Sequence, residues 1–141
     1  MKTFVTNSAA ETEAVAAQFA KTLRAPVVVA FFGGLGMGKT AFTRGLAQGL
    51  GIDAEVSSPT FALVHRYEGN GVTLCHYDMY RVETWEDLYT TGFFDDLDSG
   101  CILAVEWSEN IENALPDHTI RVTIAPGKTE NQRIITIRNG E

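Results

Sequence analysis

The sequence predicts an α/β fold built on a mixed parallel and antiparallel sheet, and three observations predict it. An unbroken apolar run at residues 26–32, PVVVAFF, passes through a glycine-rich stretch into a helical pattern. A second run, CILAV at residues 101–105, ends directly in Glu106. Two strand-like runs, 61–67 and 72–77, are joined only by Glu68-Gly69-Asn70-Gly71, a loop short enough to require an antiparallel hairpin. The first two runs have the length and β-branched content of buried strands.

Composition sets the frame. With 141 residues, 45% hydrophobic and 21% charged, the chain is expected to form one domain over residues 1–141 around one core. A formal charge of −7 argues against broad electrostatic binding to nucleic acid. Residues 1–8 lack the hydrophobic segment of a signal peptide, and no apolar run approaches the ~20 residues that cross a bilayer. Cys75 and Cys101 lack C-x-x-C spacing and lie in or beside strand-like runs, so both read as reduced, half-buried small hydrophobes. The expected location is cytoplasmic, with no membrane association.

Taken in order, Phe4 and Val5 suit a short first strand. Ser8 with Glu11 forms a capping box for a helix expected to run to about Arg24, with Val15, Phe19 and Leu23 inward. Its first turn is a candidate border for a nucleotide base. After the apolar run at 26–32 comes Gly33-x-x-x-x-Gly38-Lys39-Thr40, the full phosphate-binding-loop pattern. Its glycines allow consecutive backbone N–H groups to turn around phosphate oxygens, and the helix N-terminus adds a favourable dipole. Lys39 has the reach for β- and γ-phosphates, and the Thr40 hydroxyl suits Mg²⁺. The helix that follows puts Phe42, Leu46 and Leu50 on one face and ends at Gly51.

Ser57-Ser58-Pro59-Thr60-Phe61 is a hydroxyl-rich loop entering a strand. Turn chemistry alone explains such a composition, but at this point in a phosphate-loop protein a hydroxyl can also sense a γ-phosphate, with Thr60 the candidate. The second hairpin strand ends in His76-Tyr77-Asp78-Met79-Tyr80-Arg81, where His76 and Asp78 share a face. No third and fourth ligand of suitable spacing supports zinc there, and an acid at a strand end suits a magnesium-nucleotide site better. Thr84 with Asp87 starts a short helix through about Tyr89, ended by Gly92. Phe93, Phe94 and Leu97 among Asp95, Asp96 and Asp98 fit either a loop over the core or a docking surface. Glu106 follows its buried strand in the Walker B manner, with Trp107 beside it. Ser108 is expected to cap a short helix stopped by Pro116, and residues 118–124 and 133–138 to pair as a final hairpin.

The segments FGGLGMGKT (32–40), SPTF (58–61), HYDMYR (76–81) and EW (106–107), in this order, resemble the TsaE (YjeE) family of small bacterial ATPases of tRNA threonylcarbamoyladenosine formation. Two positions depart from the family's usual pattern: Gly34 in place of Asp and Ala41 in place of a second Thr. The resemblance implies a P-loop NTPase-like three-layer fold, ATP and Mg²⁺ as cofactors, slow hydrolysis, and TsaD and TsaB proteins as partners, with tRNA met through their complex. Carried over by position, Gly33, Gly34, Leu35, Gly36, Met37, Gly38, Lys39, Thr40 and Ala41 cradle the nucleotide. Thr40 and Glu106 hold the metal; Lys39, Asp78 and Glu106 are the catalytic set; Thr60 and Trp107 are sensors.

Two other functions use the same motif. A small-molecule kinase needs an arginine-bearing lid, whereas Arg66, Arg81 and Arg121 are scattered along the sequence. A non-catalytic ATP-binding regulatory module would leave Asp78 and Glu106 without a hydrolytic role.

Overall fold

The computed structural model describes residues 1–33, 38–57, 59 and 63–139. Seven strands form one sheet: β1 (Lys2–Thr6), β2 (Val27–Phe32), β3 (Val64–Gly69), β4 (Val72–Asp78), β5 (Ile102–Glu106), β6 (Ile120–Pro126) and β7 (Arg133–Arg138). Their spatial order is β1-β7-β6-β2-β5-β4-β3. β6, β2, β5 and β4 run parallel, while β1, β7 and β3 are antiparallel to their neighbours. The mixed sheet therefore follows the expectation, with the parallel strands in the middle.

Side-chain alternation divides the core into two layers. On one face Val29, Phe31, Leu74, Ile102, Ala104, Val122 and Ile124 meet α1 (Ala9–Ala20) and α2 (Lys39–Gly49). On the other, Val28, Ala30, Cys75, Tyr77, Leu103 and Val105 meet α3 (Trp85–Thr90), α4 (Phe93–Asp98) and a 3₁₀ turn at Ser108–Ala114. Helices on both faces of a sheet make a three-layer fold.

α1 begins as read: the Ser8 hydroxyl accepts from Glu11 N–H, while the Glu11 carboxylate accepts from Asn7 N–H. It ends at Ala20 rather than near Arg24, and its innermost residues are Thr12, Ala16 and Ala20. Val15, Phe19 and Leu23 are only partly buried beside that core. The reason is the neighbouring helix. A Cβ on Gly45 would lie 2.3 Å from the Glu13 carbonyl oxygen, and one on Gly49 2.3 Å from that of Ala17. Two glycines against two alanines let α1 and α2 approach too closely for larger side chains to face the seam.

Other boundaries moved for local reasons. β3 starts at Val64, and the expected start at Phe61 lies outside the described residues. The hairpin turns on Asn70 and Gly71, with φ of 51° and 73°, the left-handed pair of a type I′ turn. Phe93–Asp98 is a helix rather than a loop, with Phe93 and Asp96 inward. Asp96 Oδ2 accepts from Arg66 Nη2 at 2.7 Å and from the buried Tyr77 hydroxyl, which ties α4 to the hairpin. Ser108 does not cap: Trp107 precedes the 3₁₀ turn, and the Ser108 hydroxyl donates to the Val105 carbonyl at 2.8 Å. Both cysteines are free thiols and buried rather than half-buried, because β4 and β5 lie inside the sheet.

Candidate functional site

The carboxyl ends of β2, β5 and β4 converge with the start of α2. Open α/β sheets bind ligands at this end of their parallel strands. On β4, Leu74, His76 and Asp78 alternate onto one face; on β5, Ile102, Ala104 and Glu106 do the same. Leu74, Ile102 and Ala104 pack with Phe42 and Leu46 of α2, so both acids project towards the layer that begins at Lys39 and Thr40. Asp78 and Glu106 are Cα partners across the ladder, and Lys39, Asp78 and Glu106 are each less than 10% exposed.

The electrostatics join the same groups. Burial pushes the Asp78 carboxyl above its ordinary pKa; the Tyr80 N–H, donating to Oδ1 at 3.0 Å, opposes this. The Glu106 charge raises it further, while His76 and Lys39 lower it. Lys39 Nζ donates to the Gly33 carbonyl at 2.9 Å and stands 5.4 Å from the centre of the Trp107 ring. Tyr80 packs on Trp107 with ring centres 4.9 Å apart. Gly33 and Gly38 both have positive φ, 122° and 94°, backbone that a side chain would strain.

Two non-glycine residues in left-handed backbone border the acids. Trp107, at φ 58°, turns the chain directly after Glu106. Leu63, at φ 68°, donates from its N–H to the Pro59 carbonyl at 2.9 Å and accepts from the Asp78 N–H at 2.9 Å. The hydroxyl-rich loop is thereby hydrogen-bonded to the backbone of an acid. Backbone held in such regions commonly marks functional segments.

Of the expected site residues, Gly33, Gly38, Lys39, Thr40, Ala41, Asp78, Glu106 and Trp107 are described, and they gather at this one end of the sheet. Gly34, Leu35, Gly36, Met37 and Thr60 lie outside the described residues. The first turn of α1 lies at the same end, where Gln132 Nε2 donates to Asn7 Oδ1 at 3.2 Å.

Three neighbours were missed. His76 is fully buried, and its Nε2 lies 2.5 Å from Glu106 Oε2. The Gly33 N–H donates to Glu109 Oε2 at 3.4 Å, and Asn110 Nδ2 donates to the carbonyls of Met79 and Tyr80. Glu109 and Asn110 also line a groove of about 330 Å³ that Trp85 borders. The His-x-Asp spacing put His76 on the correct face. Only the pairing of β4 with β5 supplies its partner.

The class that this fold and constellation define is a P-loop NTPase-like α/β protein. The family model described as "Threonylcarbamoyl adenosine biosynthesis protein TsaE" matches residues 6–135. The chain is 36% identical to the tRNA threonylcarbamoyladenosine biosynthesis protein TsaE of Treponema pallidum, covering 85% of this chain and 88% of that one. It is 38% identical to the TsaE protein of Bacillus subtilis, covering 88% of this chain and 77% of that one. The crystal structure of Bacillus subtilis YdiB superposes with a TM-score of 0.77 and 31% identity, covering 99% of this chain and 84% of that one. The chain belongs to the TsaE family, whose role is in tRNA threonylcarbamoyladenosine biosynthesis. Among the described residues, no helix is long and apolar enough to cross a membrane.

Proposed function

We propose that residues 1–141 form a single cytoplasmic P-loop ATPase domain that binds and hydrolyses MgATP and thereby activates or resets a TsaD–TsaB complex. The observation that carries this reading is the pairing of Asp78 with Glu106 on the sheet face where α2 begins with Lys39 and Thr40.

The donor set fits the cofactors. Two carboxylates and a threonine hydroxyl are hard oxygen donors of the kind magnesium takes beside phosphates. Lys39 is the buried cation for phosphate oxygens; its present partner is the Gly33 carbonyl, which an anion displaces readily. Thr40 and Glu106 would hold Mg²⁺, which supplies neutralisation of the charge developing on the transferred phosphoryl group. Asp78, the Cα partner of Glu106 across the ladder, would then orient the attacking water. Gly33, Gly38 and Ala41 would cradle the phosphates, a role the sequence pattern extends to residues 34–37, and Trp107, its ring centre 5.4 Å from Lys39 Nζ, would serve as a sensor.

Partner stimulation has a physical route. The loop before Leu63 is linked to Asp78 through one backbone hydrogen bond, so a protein pressing on that loop biases the position of the acid. Thr60 on that loop is the proposed γ-phosphate sensor. The acidic chain leaves tRNA to the partners, since its net charge of −7 opposes direct binding.

The deciding experiment is reconstituted tRNA modification with TsaD and TsaB proteins, with and without this chain, over repeated turnovers, with free phosphate measured in parallel. The expected result is a requirement for this chain and ATP after the first turnover, and phosphate release that rises when the partners are added. Equal phosphate release with and without partners, or a phosphorylated small molecule forming faster than phosphate, overturns the reading.

A further inference from the structure

We infer that His76 is a positioning residue for Glu106: it holds one carboxylate oxygen inside the sheet and thereby presents the other to the metal–phosphate site. The inference rests on Glu106 being a metal-holding side chain, as proposed above.

The construction starts in the ladder. His76 is the Cα partner of Ala104, and Glu106 follows Ala104 two residues along the same face. Ala104 leaves the space beside the imidazole free of bulk, so the ring leans along the neighbouring strand to the carboxylate. The result is a 2.5 Å contact between His76 Nε2 and Glu106 Oε2, joining residues 30 apart in sequence. The ring is fully buried and the carboxylate is 11% exposed.

The other ring nitrogen argues for function over packing. Among the described residues, His76 Nδ1 is buried with no hydrogen-bond partner. An apolar side chain of the same volume would fill the space without leaving a polar atom unpaired. The geometry also selects the tautomer. A hydrogen on Nε2 is donated to the carboxylate, whereas a hydrogen on Nδ1 would turn two lone pairs against each other and bury a bare donor. With Oε2 engaged, Oε1 is the carboxylate oxygen left free, which would favour ligation of a magnesium ion through a single oxygen. A hydrogen-bonded partner of a metal ligand typically changes metal affinity about 10–100-fold when removed.

The test uses the full chain with a saturating non-hydrolysable ATP analogue and titrates Mn²⁺ by electron paramagnetic resonance. Comparison is among wild type, His76→Leu, His76→Met, His76→Gln and Glu106→Ala. The expected result is Mn²⁺ binding weakened about tenfold or more in both apolar variants, with affinity for metal-free nucleotide unchanged. His76→Gln, whose amide nitrogen reaches nearly where Nε2 stands, is expected to recover most of the loss.

Unchanged Mn²⁺ affinity in His76→Leu and His76→Met, with a loss in Glu106→Ala, overturns the positioning role and leaves the metal reading intact. Unchanged affinity in Glu106→Ala overturns both. Because an apolar variant can fail to fold, nitrogen-15 imidazole resonances of the wild-type protein decide independently. A hydrogen on Nε2, in a resonance that shifts in Glu106→Gln, supports the inference; a bare Nε2 with the only ring hydrogen on Nδ1 overturns it.

Discussion

Asp78 and Glu106 stand as Cα partners on the last rung of the parallel ladder between β4 and β5, two buried acids side by side where both strands end. Such a pair is expensive without a cation, and the raised pKa of Asp78 expresses that cost, burial first and the Glu106 charge in addition. Lys39 and His76 offset part of it. Several consequences can be measured.

The first concerns stability in the absence of nucleotide. A carboxyl whose folded pKa is raised adds stability below its unfolded pKa, and that stability is lost as pH rises through the folded pKa. At neutral pH the ionised Asp78 is therefore a cost. Asp78→Asn removes the charge and keeps an oxygen for the Tyr80 N–H. Urea denaturation should show the variant at least as stable as wild type at pH 7, with its advantage shrinking towards about pH 4, near the ordinary carboxylate range. An advantage that grows on acidification would contradict the assigned shift.

The two acids should separate in function. Glu106→Ala is expected to weaken Mg²⁺-dependent nucleotide binding about tenfold or more while sparing metal-free binding. Asp78→Ala should lower turnover more than it lowers binding. Nucleotide fluorescence titrations with and without magnesium, beside single-turnover phosphate release, make the comparison.

The seam between α1 and α2 makes a purely structural prediction. An added methyl at Gly45 would sit 2.7 Å from the Ala16 Cβ as well as 2.3 Å from the Glu13 carbonyl oxygen. Gly45→Ala and Gly49→Ala should each destabilise by about 1–3 kcal/mol through overpacking, despite the better helix propensity of alanine. Chemical denaturation of each variant reads this directly.

On the opposite face, Asp96 links the Arg66 guanidinium, which it holds above its usual pKa, to the buried Tyr77 hydroxyl. Asp96→Ala strands that hydroxyl and should cost about 1–3 kcal/mol. Nearby, burial pushes the Cys75 thiol up to about 12, with Asp96 adding to the rise. Cys75 should therefore resist alkylation in the native protein and react only as the fold opens, which mass spectrometry after timed labelling can follow.

Much of this architecture was readable in local patterns. The apolar runs became β2 and β5, the Asn70-Gly71 turn became the hairpin corner, and Thr84 with Asp87 became a reciprocal capping box. Each depends on neighbours within a few residues. Failures arose where a distant element intervened. Val15, Phe19 and Leu23 looked like the inner stripe of α1, but the glycines of α2 draw the alanine face inward instead. Ser108 failed as a cap for a local reason instead: the left-handed backbone of the adjacent Trp107 sends the serine hydroxyl back to the Val105 carbonyl.

By itself the sequence determined the glycine loop with Lys39 and Thr40 at a helix start, and the two strands that end in Asp78 and Glu106. Periodicity of two and the chemistry of turns are written residue by residue. Only the tertiary structure decided that β4 lies beside β5 in a register that aligns the acids and brings His76 onto Glu106. Alternation assigns a side chain to a face but carries no information about which strand lies next to it. That choice is made by burial of the whole sheet between its two helical layers.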